Sequence, residues 1–268
     1  MTLTAEQSGL VRSIQQALEH HEAVEAAWVA GSLGAGKGDQ YSDVDIVALV
    51  AAGRVSEIGS HYARHADEIA EPVLVKTLFD GRVLNVITSE WQRFDISFVE
   101  TNELNRFDAS GLSLLFNKTS AVVSPHNRNP YTPTAATILK LVNEFLRMMG
   151  LLVVAVGREE WVNGQTGVDI VRRLTVDLLL EANGIGPAER GGALHLNVLL
   201  TPEQRVRLEK LDAVGPNKVD IVRANLQLAA IFLPLARRMA ADAEVQWPEA
   251  FEAATAAHLH SNLGLTLP

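Results

Sequence analysis

The sequence contains no cysteine. This absence excludes disulfide bonds, thiolate metal sites and cysteine nucleophiles, although it leaves the cellular compartment open. Basic residues are also scarce, because 23 Lys and Arg stand against 32 Asp and Glu, which gives a formal net charge of −9. No block of basic residues offers a stripe for a phosphate backbone, so general binding of nucleic acid is not expected. The acidic balance serves either solubility or the attraction of cationic small molecules.

A secretory signal and long apolar runs are missing too. The first residues, MTLTAEQSGLVRSIQQALEHH, have no apolar stretch after a basic start, and Thr4 with Gln7 predicts a helix capping box. The longest uncharged apolar-rich runs, such as Ala224 to Ala236, are shorter than the roughly 20 residues that span a membrane. We therefore expect a cytoplasmic protein with no membrane partner.

The periodicity of apolar residues changes along the chain. Short β-branched runs and turns fill the first part, whereas helical spacing dominates the rest. We predict an α+β fold, in which a small mixed β-sheet domain at residues 1–125 precedes an all-α helical-bundle domain at residues 126–268. The boundary falls in the proline-rich segment Ser124–Thr134, SPHNRNPYTPT, which is typical of a linker that then caps a helix.

Local patterns predict the individual elements. In the first domain they indicate helices over Thr4–His20 and Val55–Ile69, and strands at VEAAWVA, DVDIVALV, PVLVKTLF, RVLNVITS and RFDISFVE. In the second domain they indicate helices through Ile138–Met149 and Val171–Leu178, and others at Pro202–Asp212, at Pro216–Met239 with a kink at Pro234, and at Pro248–His260.

Residues 30–50, AGSLGAGKGDQYSDVDIVALV, begin with a near match to a phosphate-binding loop. Gly31, Gly36 and Lys37 fit the start of a Walker A motif. The next position should be Ser or Thr to bind magnesium, and here it is Gly38. A Walker A loop must also open a helix whose N-terminus faces the phosphates, whereas the residues that follow alternate as in a strand. The context therefore argues against a P-loop.

The second half of the same segment carries Asp43 and Asp45. Side chains at positions i and i+2 of a strand share a face, so the two carboxylates project together while Val44 and Ile46 point into the core. Asp95 in RFDISFVE could join them from a neighbouring strand. Hard oxygen ligands suit Mg²⁺ that is shared with substrate phosphates. The alternative is that the two aspartates are a turn or a solvent-facing pair.

The glycine-rich loop can serve such a metal site without being a Walker A loop. Gly31 would let the backbone approach a triphosphate, and Ser32 could donate its hydroxyl and amide groups to the β- or γ-phosphate. Lys37 is either a phosphate ligand or a mobile cation at a loop tip.

Taken together, these elements resemble the nucleotidyltransferase superfamily that includes DNA polymerase β. Its hallmark is an apolar residue with Gly-Gly or Gly-Ser, followed by DhDh with h apolar; Ala30–Ser32 and Asp43–Ile46 match it. The resemblance narrows to the aminoglycoside and lincosamide adenylyltransferases, which join one such domain to a C-terminal helical domain, with the site in the cleft between them. The motifs cover only about residues 28 to 98. The second half matches these enzymes in being helical, without a sequence motif of its own.

The resemblance implies roles for particular residues. Asp43, Asp45 and Asp95 would be catalytic Mg²⁺ ligands, and Gly31, Ser32 and Lys37 would bind a nucleoside triphosphate. Some members use a glutamate from the helical half as general base, which makes Glu160 a candidate for that role. The alternative for Glu159 and Glu160 is a solvated helix end. Trp161 would either stack on a substrate ring or belong to the core.

The implied reaction is transfer of a nucleoside monophosphate, AMP from ATP, to a hydroxyl of a small and cationic molecule such as an aminoglycoside or lincosamide, with release of pyrophosphate and a role in antibiotic resistance. Two alternatives stay open. The acceptor could be a protein side chain or an RNA end, as in toxin or antitoxin members of the superfamily, or the chain could be a nucleotide-binding module without catalysis. The sequence leaves the oligomeric state open, with a homodimer as one possibility.

Overall fold

The computed structural model describes residues 3–124, 130–190 and 195–268. The chain divides into two compact units, Met1–Arg128 and Asn129–Pro268, and each has its own hydrophobic core. The boundary expected between residues 125 and 126 lies outside the described residues. The first unit is built on a β-sheet and the second on helices, so the predicted α+β fold class is confirmed.

The first unit contains three helices and six strands among its described residues. The helices are α1 (Ala5–His20), α2 (Gly31–Gly34) and α3 (Val55–Arg64). The strands are β1 (Val24–Val29), β2 (Val44–Val50), β3 (Pro72–Leu78), β4 (Val83–Thr88), β5 (Arg93–Val99) and β6 (Ser113–Asn117).

The six strands form one mixed sheet in the order β3-β4-β5-β2-β1-β6. β2 and β5 are parallel, and the other neighbours are antiparallel. One face of the sheet packs against α1 and α3, where Val44, Ile46, Phe94 and Ile96 are fully buried. These residues alternate with polar ones along β2 and β5, as expected for strands that bury one face in a core.

α1 begins as the sequence predicts. Thr4 caps the helix by accepting a hydrogen bond from the Gln7 amide, and the Gln7 side chain accepts one from the Thr4 amide in return. This reciprocal pair satisfies two of the amide groups that every helix N-terminus leaves without an intrahelical partner. Leu10, Ile14 and Leu18 then fall at helical spacing on the face that packs against the sheet.

Three local features differ from the sequence-based expectation. β6 was not predicted, because SLLFN carries little strand signal of its own and forms an edge strand by pairing with β1. The glycine-rich loop contains the short helix α2. The helix expected over Val55–Ile69 ends at Arg64, and a single 3₁₀ turn, Ala66–Glu68, follows it.

The second unit is entirely helical in its described part. Its helices are α4 (Ala135–Gly157), α5 (Trp161–Ala182), α6 (Leu196–Leu199), α7 (Pro202–Glu209), α8 (Lys218–Asp242) and α9 (Glu249–Leu263). α4 packs against α5, α8 and α9. The rings of Phe145 and Phe232 stack at a centroid distance of 3.8 Å in the centre of the core. α8 continues through Pro234 to Asp242.

By length and composition alone, α8 is long and apolar enough to cross a membrane, although its longest uncharged run is shorter than a membrane span. Its apolar side chains instead fill the core of the second unit: Leu228, Phe232, Leu233 and Ala236 are fully buried there. A core helix of this kind passes a hydropathy test because it is apolar on most of its surface.

Candidate functional site

The register of the sheet places two of the predicted acidic residues side by side. β2 and β5 run parallel, and Asp45 lies directly opposite Asp95. Asp43 lies just before the first residue of β2, and its charge acts on both of the other carboxylates. The structure therefore brings together Asp43, Asp45 and Asp95, which we call the aspartate site.

The aspartate site occupies the sheet face opposite α1 and α3. Further along the same face of β2, Val47 and Leu49 are covered by a second apolar cluster that includes Leu104. Asp45 lies toward the start of the strand and is only half-buried. The covered end of this face is thus structural, whereas the end that carries the carboxylates stays accessible.

The pKa values of two aspartates at this site are raised, first by burial and then by neighbouring negative charge. Burial, followed by repulsion from Asp43 and Asp95, raises the pKa of Asp45 to about 6. Burial also raises the pKa of Asp95, although its hydrogen bond with Asn85 opposes that shift. Neighbouring carboxylates that raise one another's pKa are common at sites that bind cations or transfer protons.

Two residues that the sequence analysis did not single out complete the site. Asn85 of β4 lies opposite Asp95 in the sheet, and its Nδ2 donates a hydrogen bond of 2.5 Å to Asp95 Oδ1. Arg93 of β5 lies with its Nη2 3.8 Å from Asp43 Oδ2. Asn85 sits between the buried Leu84 and Val86. The alternation of Asn85 with apolar neighbours could have identified it from the sequence, because a single amide among apolar strand residues needs a hydrogen-bond partner.

Gly31 meets the aspartate site from the end of β1. Its φ of +60° lies in the left-handed region, which favours glycine, and a Cβ added there would lie 2.0 Å from Asp45 Oδ2. The backbone and the carboxylate are therefore in a contact that no side chain could share. This geometry supplies a physical reason for the glycine of the Gly-Ser pair.

The remaining loop residues follow Gly31. Ser32 is half-buried within α2, and its carbonyl accepts a hydrogen bond of 2.8 Å from the Lys37 amide. The Lys37 side chain is exposed. β2 follows this loop, where a Walker A motif would require a helix, so the structure agrees with the argument against a P-loop.

Glu160 belongs to the second unit. It is the exposed N-cap residue of α5, and its side chain makes no capping hydrogen bond. Glu159 before it adopts a positive φ of 56°, which turns the chain between α4 and α5. Glu159 and Glu160 thus lie between the end of α4 and the start of α5. Trp161 begins α5, and its side chain packs against the core of the second unit.

The aspartate site has the chemistry that a hard divalent cation requires. Within residues 3–124, 130–190 and 195–268, no three His, Asp or Glu side chains form a ready-made set of metal ligands. Carboxylate oxygens are nevertheless the donors that Mg²⁺ prefers. A cation would offset the repulsion that, after burial, raises the pKa of Asp45. At position 31 the lack of a side chain leaves the Asp45 carboxylate in contact with backbone alone.

Comparisons with known proteins give matches among solved structures. No protein-family profile and no curated protein matches the chain. Among solved structures, an aminoglycoside 6-adenyltransferase from Bacillus subtilis is 13% identical, with a TM-score of 0.44, over 96% of this chain and 98% of that one. A STING-associated CdnE c-di-GMP synthase from Capnocytophaga granulosa is 12% identical, with a TM-score of 0.27, over 88% and 83%. Both neighbours are nucleotidyltransferases. At these values the likeness carries no conclusion about this protein.

Proposed function

We propose that this protein is a Mg²⁺-dependent nucleotidyltransferase that moves a nucleoside monophosphate, AMP from ATP, onto a hydroxyl of a small molecule. The observation that carries the proposal is the placement of Asp45 opposite Asp95, with Asp43 beside them, on the accessible end of a sheet face. Three carboxylates gathered without matching positive charge are costly to the fold, and such a cost is characteristic of functional sites.

Asp43, Asp45 and Asp95 are the residues that would hold the metal. When bound, Mg²⁺ would neutralise charge at the α-phosphate and lower the pKa of the acceptor hydroxyl. The acceptor oxygen forms a bond to the α-phosphorus, the bond from that phosphorus to the bridging oxygen breaks, and pyrophosphate leaves with the electron pair. Asp95 would assist removal of the hydroxyl proton, and the hydrogen bond that it accepts from Asn85 supports this role by orienting the carboxylate.

The loop after β1 would hold the triphosphate. Gly31 allows its backbone to come within contact of the site, and the Ser32 hydroxyl and amide groups can donate to phosphate oxygens. The exposed Lys37 would add a flexible cation. All three residues are close in sequence, so one loop would present the phosphates to the aspartates.

Glu160 remains a candidate for a second proton acceptor. Its exposure at the start of α5 leaves the carboxylate available to a substrate. The role comes from the resemblance to enzymes that use a glutamate of the helical domain, and activity of a Glu160→Gln variant tests it. A normal rate would leave Asp95 as the proposed base.

For the acceptor we propose a cationic small molecule of the aminoglycoside or lincosamide type, and hence a role in antibiotic resistance. The net charge of −9 supports this class, because an acidic surface attracts cations over long range. The same charge disfavours an RNA acceptor, whose phosphates need neutralisation. Burial of α8 in the core supports a soluble protein, for which we propose a cytoplasmic location.

The test measures pyrophosphate release from ATP, GTP and CTP with Mg²⁺ against a panel of aminoglycosides and lincosamides. Asp43→Asn is the control. Release that one panel member stimulates, and that the variant lacks, would support the proposal and give the acceptor class. Metal-dependent nucleotide binding without stimulation would reject these acceptors and favour a protein or RNA target, or a module without catalysis. Release that persists in Asp43→Asn would overturn the site assignment.

A further inference from the structure

Asp43 follows a tight turn formed by Asp39–Ser42. Within the turn, the Ser42 amide donates to the Asp39 carbonyl at 3.1 Å and the Asp39 amide donates to Ser42 Oγ at 2.9 Å. The Ser42 hydroxyl and the Tyr41 amide both donate to Asp39 Oδ1. These bonds determine the shape of the turn. They do not determine where the turn lies relative to the sheet.

The side chain of Gln7 links the turn to α1. Its Nε2 donates to the Asp39 carbonyl at 2.8 Å and to the Ser42 carbonyl at 3.0 Å. Its Oε1 meanwhile accepts from the Thr4 amide at 3.0 Å. Both amide hydrogens and the carbonyl oxygen of Gln7 are thus in use, which only a carboxamide at this position can achieve.

Arg93 reaches the same turn from the sheet. Its Nη2 donates to the Tyr41 carbonyl at 3.1 Å and lies 3.8 Å from the Asp43 carboxylate. Gln7 of α1 therefore binds the carbonyls of Asp39 and Ser42, at the two ends of the turn, and Arg93 of β5 binds the carbonyl of Tyr41 between them. Asp43 immediately follows this turn, which is hydrogen-bonded to both α1 and β5.

We propose that Gln7 is a positioning residue of the aspartate site, one that holds the Asp39–Ser42 turn so that Asp43 faces Asp45 and Asp95. The inference rests on the proposed function, because it assigns Gln7 a part in cation binding. Gln7 is only 7% exposed and lies on the helix face whose other buried members are apolar. A buried amide costs free energy unless it is fully paired, and at Gln7 two of the three pairings are with the turn.

The N-terminal cap alone does not explain this amide. The Thr4 hydroxyl already caps α1 by accepting from the Gln7 backbone amide. Many side chains can follow a threonine cap, and the two hydrogen bonds from Nε2 to the turn contribute nothing to the cap itself. Their partners lie 32 and 35 residues away, which makes them tertiary contacts that serve the turn.

The test compares Gln7→Met with the control Thr4→Ala in the full chain, using Mn²⁺ as the probe. Gln7→Met keeps the length and removes the two donors to the turn together with the acceptor for the Thr4 amide. Thr4→Ala removes the hydroxyl that caps α1 and keeps the donors to the turn. We expect Gln7→Met to weaken Mn²⁺ binding about tenfold, as loss of an outer partner of a metal ligand does, and to speed hydrogen exchange in residues 39–45. Thr4→Ala should lower the melting temperature and keep wild-type Mn²⁺ affinity.

If Gln7→Met does not fold, Gln7→Glu replaces it, because this variant keeps the size and the acceptor but turns a carboxylate toward two carbonyls. Wild-type Mn²⁺ affinity in the Gln7 variants, or an equal loss in Thr4→Ala, would overturn the positioning role and leave the proposed function standing. If wild-type protein shows no Mn²⁺ binding that Asp43→Asn abolishes, the proposed function fails, and the positioning role fails with it.

Discussion

Each unit of this protein contains a cluster of carboxylates, and the two clusters are built in opposite ways. In the second unit, Glu181 is 3% exposed, forms an ion pair with Arg190 and accepts a hydrogen bond of 2.7 Å from the Tyr131 hydroxyl. Arg190 also lies 3.4 Å from Asp177. We call these four residues the Glu181 cluster. In the aspartate site, by contrast, carboxylates face one another, and Arg93 approaches only Asp43 closely.

The difference between the two clusters separates carboxylates that stabilise the fold from carboxylates that do not. A buried carboxylate that is paired and hydrogen-bonded is stable in its place, so removing it leaves an uncompensated charge. Carboxylates that repel one another lower the stability of the fold and persist when something outside the chain uses them. The Glu181 cluster therefore has the pairing of a structural group, whereas the aspartate site has the unbalanced charge that the proposed cation would offset. Four predictions test that contrast, in order of the expected effect.

The largest effect concerns activity at the aspartate site. Asp45→Asn should reduce pyrophosphate release by at least about 10³-fold, because metal-assisted charge stabilisation is worth several kcal/mol and 1.36 kcal/mol is a factor of ten. Asp80→Asn, in the exposed turn between β3 and β4, is the matched control. Activity within tenfold of wild type in the Asp45 variant would refute the assignment.

The next effect concerns stability of the second unit. Glu181→Gln should lower the free energy of unfolding by about 3 kcal/mol, since it leaves Arg190 without its most buried partner. Urea denaturation followed by circular dichroism measures this value. Glu209→Gln, an exposed pair with Arg205, should change it by less than about 0.5 kcal/mol. Equal losses of stability in the two variants would show that the Glu181 cluster does not stabilise the fold.

In the absence of metal, Asp45→Asn should raise the free energy of unfolding, whereas Glu181→Gln should lower it. The folded pKa of Asp45 is about 6, above its ordinary 3.8, so between these values the folded state holds a proton that the unfolded state has lost. Wild-type stability therefore falls as pH rises through this window. At pH 7.5 in EDTA, the variant should be more stable by about 2 kcal/mol, a value reduced for partial exposure.

At pH 3.5 the advantage of the Asp45 variant should vanish, since Asp45 then carries its proton in the folded state. Urea denaturation across this pH range measures both values. Added Mg²⁺ should reverse the order at pH 7.5, because it stabilises only the protein that keeps its ligands. A variant that is less stable than wild type at every pH would show that Asp45 is part of the fold.

The smallest expected effects are those of replacing two glycines of the same loop, Gly31 and Gly36, by alanine. Gly31→Ala and Gly36→Ala both place a Cβ at a positive φ, but the new atom meets Asp45 in the first case and open space in the second. Both should lose about 1 kcal/mol of stability from backbone strain. Only Gly31→Ala should also lose about tenfold in activity, by displacing the carboxylate. Equal activity in the two variants would mean that Gly31 acts through its backbone alone.

Much of the fold could be predicted from the sequence because its signals are local. The capping box of Thr4 and Gln7 and the alternation around Asp43 and Asp45 depend on residues within a few positions. β6 could not be predicted in this way, since SLLFN becomes a strand by pairing with β1, far back in the chain. α2 was missed for a different reason: two of its four residues are glycines, which have a low helix propensity.

The sequence by itself determined which carboxylates belong to one strand face and that a Gly-Ser pair precedes them. Only the tertiary structure decided that Asp95 stands opposite Asp45, that Asn85 holds Asp95, and that Gln7 holds the turn before Asp43. The physical reason is distance along the chain. Side-chain direction follows from backbone geometry within a strand, whereas strand register and long-range hydrogen bonds depend on how the whole sheet packs.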